Sequence, residues 1–70
     1  MFQSMQITSS MIRAAAYDEE SQVLSVTFQN GSSYQYPNVP SDVAAGLEGS
    51  DSPGRYFSAS IRDAYPGRRV

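Results

Sequence analysis

The chain has 70 residues, enough for one domain whose single hydrophobic core is close to the smallest that supports folding. It contains no cysteine and no histidine, which excludes disulfides and thiolate metal sites and removes the most common general base of enzymes. The net charge is −2, but residues 1–50 hold one arginine and five acidic residues, whereas residues 51–70 hold four arginines and two acidic residues.

Residues 1–8 are predicted to form a flexible lead-in, because they show no hydrophobic period. Residues 9–70 are then predicted to form a single domain. The chain has no basic leader segment and no run of about 18 apolar residues. We therefore expect a cytoplasmic protein that does not contact a membrane.

Three β-strands are predicted next, over about residues 10–17, 23–28 and 33–36. The first segment alternates as a half-buried strand does, although its alanines also favour a helix. The second segment alternates most regularly, and Asn30-Gly31 after it is a strong hairpin signal because both residues tolerate a positive φ. These signals predict a three-stranded antiparallel β-meander.

Two registers are open for the hairpin between the second and third strands. With a two-residue turn at Asn30-Gly31, Tyr34 and Tyr36 lie opposite the apolar side of the second strand and form an exposed platform for stacking bases. With a three-residue loop and a bulge, Val26 pairs with Tyr34 and both tyrosines join the core. The second register is favoured because it keeps the polar residues of the third strand out of the core.

Two short helices are predicted after the sheet, over about residues 41–49 and 53–65. Ser41 or Asp42 can cap the first helix, and Ser52 can cap the second, which has proline at its first position. Both helices carry apolar residues at helical spacing. The prediction is an α+β fold with two short helices packed on one face of the meander.

A set of motifs spread from residue 9 to residue 70 resembles the KTSC domain family. These motifs are Ser9-Ser10, the strand residues Leu24, Val26 and Phe28, Asn30-Gly31, the YxY motif at Tyr34 and Tyr36, Val39-Pro40, and Gly54-Arg55-Tyr56-Phe57 through Ile61-Arg62 to Tyr65. The family occurs at the C-terminus of some lysyl-tRNA synthetases and as small bacterial and phage proteins. The resemblance implies an RNA-binding role.

The arginines near the C-terminus are the second group of candidate binding residues. Arg55 and Arg62 are seven residues apart, about 10 Å along a helix, and are expected on nearly the same face. Arg68 and Arg69 extend the charge, so a basic stripe for RNA or another phosphate-bearing ligand is predicted. The alternative is a solvated helix face whose arginines pair with nearby carboxylates.

Tyr56 flanks this predicted stripe, where it could stack a base or equally cover the edge of the core. No residues form an acid–base pair or an activated nucleophile, and the acidic turn at residues 18–20 lacks the spacing of a calcium loop. We therefore expect neither catalysis nor a cofactor or metal.

The expected function is non-catalytic binding of RNA or a related ligand. The alternative is a protein-protein interaction module or a small inhibitor of a larger enzyme. A sheet edge left unpaired allows either a monomer or a homodimer.

Overall fold

The computed structural model describes all 70 residues, Met1–Val70, and shows an antiparallel sheet covered on one face by two helices. Five strands follow the order β1-β2-β3-β4-β5, and every neighbouring pair is antiparallel. The elements are β1 Gln3–Ser4, β2 Ile12–Asp18, β3 Val23–Phe28, β4 Ser33–Tyr36, α1 Ser41–Gly49, α2 Pro53–Ser60 and β5 Arg68–Arg69.

The predicted three-stranded meander is correct in its three central strands and wrong in the number of strands. Gln3–Ser4 pairs with β2 and lies within the segment predicted as a lead-in, and Arg68–Arg69 pairs with β4. Each added strand has two residues, both exposed. Strands this short show no alternation of buried and exposed residues, so their positions come from pairing with distant parts of the chain.

The hairpin between β3 and β4 adopts the core-facing register. Val26 pairs with Tyr34, and Leu24 pairs with Tyr36. The loop closes with a hydrogen bond from the Gly31 amide to the Phe28 carbonyl (2.9 Å), and Gly31 has φ +90°. The exposed tyrosine platform was therefore the wrong alternative, because this three-residue loop turns both tyrosines toward the helices.

The core lies between the helices and the face of the sheet that carries these tyrosines. Its fully buried members are Ile12, Leu24, Val26, Val39, Leu47, Phe57 and Ile61, joined by Ala15, Tyr36 and Ala44. No polar or charged residue is buried with them. The hydrophobic effect thus fixes which face the helices cover, while the opposite face of the sheet has no covering element.

Both helices start at the predicted residues, but neither start has the predicted side-chain capping hydrogen bond. Pro40 and Ser52 occupy the N-cap positions of α1 and α2, and neither helix has a side-chain capping hydrogen bond. The Ser52 backbone carbonyl instead accepts the Tyr56 amide at 3.0 Å. The predicted capping roles of the Ser41, Asp42 and Ser52 side chains were therefore wrong.

Helix α2 is shorter than predicted, ending at Ser60 and not at residue 65. The Arg62 amide bonds to the Phe57 carbonyl five residues earlier, and the backbone then continues as turns. The apolar residues between Phe57 and Tyr65 have a spacing that also fits turns, which explains why the helix was predicted to be longer than it is. Arg62 consequently leaves the helix that carries Arg55.

Candidate functional site

A groove of about 370 Å³ lies where β3, β4 and α2 meet the segment that leads into β5. Its lining combines four aromatic rings, one arginine and one glycine. We call it the aromatic groove, defined by Phe28, Tyr34, Tyr36, Phe57, Arg62 and Gly67.

No helix of the structure is long and apolar enough to span a bilayer, and no group of three acidic, cysteine or histidine side chains is placed to hold a metal.

The four rings form one continuous cluster. Phe57 meets Phe28 edge-on with centroids 5.3 Å apart and meets Tyr36 at 5.5 Å. Tyr34 meets Phe28 edge-on at 5.9 Å and lies nearly parallel to Tyr36 at 6.4 Å. Phe57 and Tyr36 are buried, whereas Phe28 and Tyr34 are only partly buried. Phe57 and Tyr36 therefore form the buried base of the groove, and Phe28 and Tyr34 form a partly exposed aromatic wall.

The hydroxyl of Tyr36 has no hydrogen-bond partner in the protein. Tyr36 is only 5% exposed, whereas the half-buried residues Tyr17 and Tyr56 donate their hydroxyls to the carbonyls of Val39 and Val43. Every side-chain nitrogen or oxygen that is buried from solvent has a hydrogen-bond partner. Since the Tyr36 hydroxyl has none, it must be part of the small exposed surface of this residue. A polar atom on the wall of the aromatic groove is thus available to a ligand.

Burial raises the pKa of Tyr36, nearby Tyr34 raises it further, and the positive charge of Arg62 acts in the opposite direction. Tyr36 is therefore protonated at neutral pH, and its hydroxyl can both donate and accept a hydrogen bond.

One of the four predicted C-terminal arginines lines this groove, and a second lies on the neighbouring strand. Arg62 lines it, and Arg69 pairs directly with Tyr34, so both side chains of that pair project from the groove side of the sheet. The nearest carboxylate to Arg62 is that of Asp63, with 3.9 Å between Nε and Oδ1 and both side chains largely exposed. Such a pair is weak, and Arg69 has no ion pair.

The other two arginines lie elsewhere. Arg68 pairs with Gln35, which directs its side chain to the uncovered face of the sheet. Arg55 lines a wider cleft with residues 8–11 and 51–54 at the start of α2. The predicted continuous stripe of arginines is therefore divided among three surfaces.

Tyr56 has a structural role on the edge of the core. Its hydroxyl donates to the Val43 carbonyl at 2.9 Å, and its ring covers Gly46 of α1. Of the two alternatives for this residue, the structure shows the packing role and not a stacking surface beside the arginines.

We expect Gly46→Ala to destabilise the domain by about 1 kcal/mol, although alanine favours a helix by about that amount. An added methyl carbon would lie 2.2 Å from the Tyr56 hydroxyl, so the ring must move and its hydrogen bond to Val43 must break. Urea unfolding measures the change, with Gly49→Ala as control because no atom lies within 4 Å of its added methyl. Equal or greater stability of the Gly46 variant would contradict the packing role of Tyr56.

An acidic cleft of about 440 Å³ lies near β1, at the sheet edge opposite β5. Its carboxylates are those of Asp18, Glu19, Glu20 and Glu48. Asp18 accepts hydrogen bonds from the N-terminal amine at 3.0 Å and from Ser21 at 2.9 Å, and these bonds hold its pKa below the usual value. The acidic and basic surfaces therefore belong to different edges of the sheet.

Phe28, Phe57 and Gly67 were not predicted as site residues. The first two were named only as members of the motifs that resemble the family. Gly67 approaches the Tyr36 ring so closely that an added methyl carbon would lie 2.4 Å from a ring carbon. Because Gly67 and Tyr36 are far apart in the chain, the sequence alone does not show that this glycine packs against the tyrosine of the YxY motif.

The KTSC domain model matches residues 8–65 of this chain. An uncharacterized protein of Stutzerimonas stutzeri (strain A1501) is 42% identical over 52 residues, covering 74% of this chain and 73% of that protein. A lysine–tRNA ligase of Nostoc punctiforme is 32% identical over 56 residues, which are 80% of this chain but 10% of the ligase. The crystal structure of a KTSC domain protein from Yersinia pestis superposes with a TM-score of 0.90 at 28% identity, covering 100% of this chain and 99% of that one.

Proposed function

This chain belongs to the KTSC domain family, and we propose that it is a non-catalytic module that binds RNA or another phosphate-bearing ligand at the aromatic groove. One observation carries the proposal: three separate segments place Arg62 with Tyr34 and Tyr36 in the lining of one groove and pair Arg69 with Tyr34. Planar guanidinium groups bind phosphate oxygens, and aromatic rings stack on bases.

The relatives support a ligand of this class. Two lysine–tRNA ligases, from Nostoc punctiforme and from Nostoc sp. (strain PCC 7120), each contain a segment similar to this chain. Their name identifies tRNA as a substrate of those whole enzymes. A module of this kind attached to such an enzyme would add a second contact to the nucleic acid and raise its effective affinity.

The groove offers binding groups and no catalytic pair. Its side chains that titrate are two tyrosines and one arginine, and no carboxylate lines it. General acid–base catalysis needs a group that exchanges its proton near neutral pH, and the raised pKa of Tyr36 moves it away from that range. The proposed activity is therefore recognition of the ligand without its chemical change.

A salt titration tests the proposal. Binding of a fluorescent single-stranded RNA should weaken as salt rises, with a slope of log K against log salt near −0.7 for each phosphate contacted. Arg62→Ala with Arg69→Ala should reduce the magnitude of that slope by about 1.4, the value for two phosphates. Fluorescence anisotropy at several salt concentrations measures both slopes.

The matched control is Arg13→Ala with Arg55→Ala, which changes the net charge equally at exposed positions outside the groove. Its slope should change much less than that of the groove variant. If the two double variants behaved alike, binding would depend on net charge and not on this groove. No binding of the unaltered protein at low salt would contradict the proposed function itself.

A second candidate function is recognition of a protein with a basic surface, which includes inhibition of a larger enzyme. The acidic cleft near β1 supports it, because four carboxylates line one depression away from the arginines. A partner captured from nuclease-treated native lysate should then be lost in a Glu19→Lys, Glu20→Lys, Glu48→Lys variant. Retention of the partner by that variant would exclude the cleft as its binding site.

A further inference from the structure

We infer that the aromatic groove receives one unpaired nucleotide, with its base against the wall formed by Phe28 and Tyr34 and a base edge hydrogen-bonded to the Tyr36 hydroxyl. This inference rests on the proposed function and specifies the ligand of the same site. Three independent properties of the groove lead to it: an unused polar atom, the dimensions of the space, and the placement of charge.

The unused polar atom is the Tyr36 hydroxyl. Tyr36 is 95% buried by the packing of Phe57 and Gly67 against its ring, and the hydroxyl still has no protein partner. The half-buried residues Tyr17 and Tyr56 both donate their hydroxyls to protein carbonyls, whereas the Tyr36 hydroxyl has only a small opening to solvent. A ligand atom in the groove would complete the hydrogen bonding of this residue.

The size of the groove limits the ligand. At about 370 Å³ it lies near the lower end of the range of about 300–1,000 Å³ for small-molecule sites, so it suits a single ring system with its sugar. A duplex keeps its bases stacked and paired inside, where a groove in a protein surface does not reach them. The base that enters must therefore be unpaired.

The positive charges near the groove indicate that the ligand carries an anionic group as well as a planar ring. Arg62 lines the groove, and Arg69 projects from the same side of the sheet beside Tyr34. A nucleotide has a planar ring that stacks on aromatic side chains and a phosphate that guanidinium groups bind, so it matches both features of the groove. Because the Tyr36 hydroxyl both donates and accepts, we expect only a weak preference among the four bases.

The nucleotide can come from a single-stranded RNA or be free in solution, and the test separates these sources. A labelled single-stranded octanucleotide is titrated with the protein, and the same RNA as a duplex and a free mononucleotide serve as competitors. We expect the unlabelled single strand to compete best and the duplex at least about tenfold less well. Strong competition by the mononucleotide would identify the free nucleotide as the ligand.

The decisive variant is Tyr36→Phe, which removes only the unpartnered hydroxyl. Loss of one hydrogen bond should weaken binding of the single strand about threefold to tenfold while the melting temperature stays unchanged. Tyr17→Phe is the matched control, because its hydroxyl bonds to the Val39 carbonyl outside the groove. It should lower the melting temperature and leave the affinity unchanged.

The outcomes separate this inference from the proposed function. If Tyr36→Phe binds as tightly as the unaltered protein, or if the duplex competes as well as the single strand, RNA binds the arginines without entering the groove and the inference fails. If neither RNA nor the mononucleotide binds at low salt, the proposed function fails as well. Weakened binding at an unchanged melting temperature supports both.

Discussion

Replacing Phe57 with alanine is expected to lower the free energy of unfolding by about 3–5 kcal/mol, the cost typical of removing a buried phenylalanine. The ring is 2% exposed and packs edge-on against both Phe28 and Tyr36, so its loss leaves a cavity between α2 and the sheet. A domain of 70 residues has roughly 4–10 kcal/mol of total stability at about 0.05–0.15 kcal/mol per residue. Circular dichroism during thermal unfolding should show a melting temperature lower by more than about 10 °C.

Phe2→Ala is the matched control for this experiment, since the same aromatic ring is removed from an exposed position beside β1. Its effect should stay within about 0.5 kcal/mol. A Phe57 variant no less stable than the Phe2 variant would show that α2 does not hold the sheet through this ring, and the described core would be incorrect.

Gly67→Ala should have the second largest effect, a loss of about 1–3 kcal/mol of stability. The added methyl carbon would lie 2.4 Å from Cε2 and 2.9 Å from Cζ of Tyr36, whose ring is buried and held by edge-on packing against Phe57. The segment leading into β5 must therefore shift outward, which also moves Arg69 away from Tyr34. Denaturant unfolding and RNA anisotropy on the same sample measure the two consequences.

Gly49→Ala again provides the control, because its added methyl meets no neighbouring atom within 4 Å. It should leave RNA affinity unchanged and should not lower stability, because alanine favours a helix more than glycine does and Gly49 is the last residue of α1. If Gly67→Ala destabilised the domain without weakening RNA binding, the position of β5 would be irrelevant to the ligand, and Arg69 would be removed from the proposed site.

Local patterns were sufficient to predict the central sheet and the existence of the helices. The alternation in β3 and the Asn30-Gly31 signal located the hairpin, and the requirement to keep Gln35 out of the core selected the correct register. The start of α1 was predicted from Ser41 or Asp42 and that of α2 from Ser52 followed by proline, and both starts agree with the structure although no side chain caps them.

The aromatic groove could not be predicted in the same way, because long-range contacts create it. Strand β5 has two exposed residues, so its pairing with β4 leaves no hydrophobic period in the sequence. At the early end of α2 the Arg62 amide donates a hydrogen bond to the Phe57 carbonyl, and Arg62 and Arg55 then line different depressions. The prediction assumed a regular helix through residue 65, which put Arg55 and Arg62 on one face. The neighbours predicted for each arginine were therefore wrong.

The placement of acidic residues near β1 and arginines near β5 gives the molecule an electric dipole across the sheet. In the field of a polyanion such a molecule rotates before contact, so that its arginine edge leads and its carboxylates trail. For the proposed RNA ligand, diffusing molecules would then arrive with the groove already facing the nucleic acid, and a chain with an overall negative charge would still associate rapidly at low ionic strength.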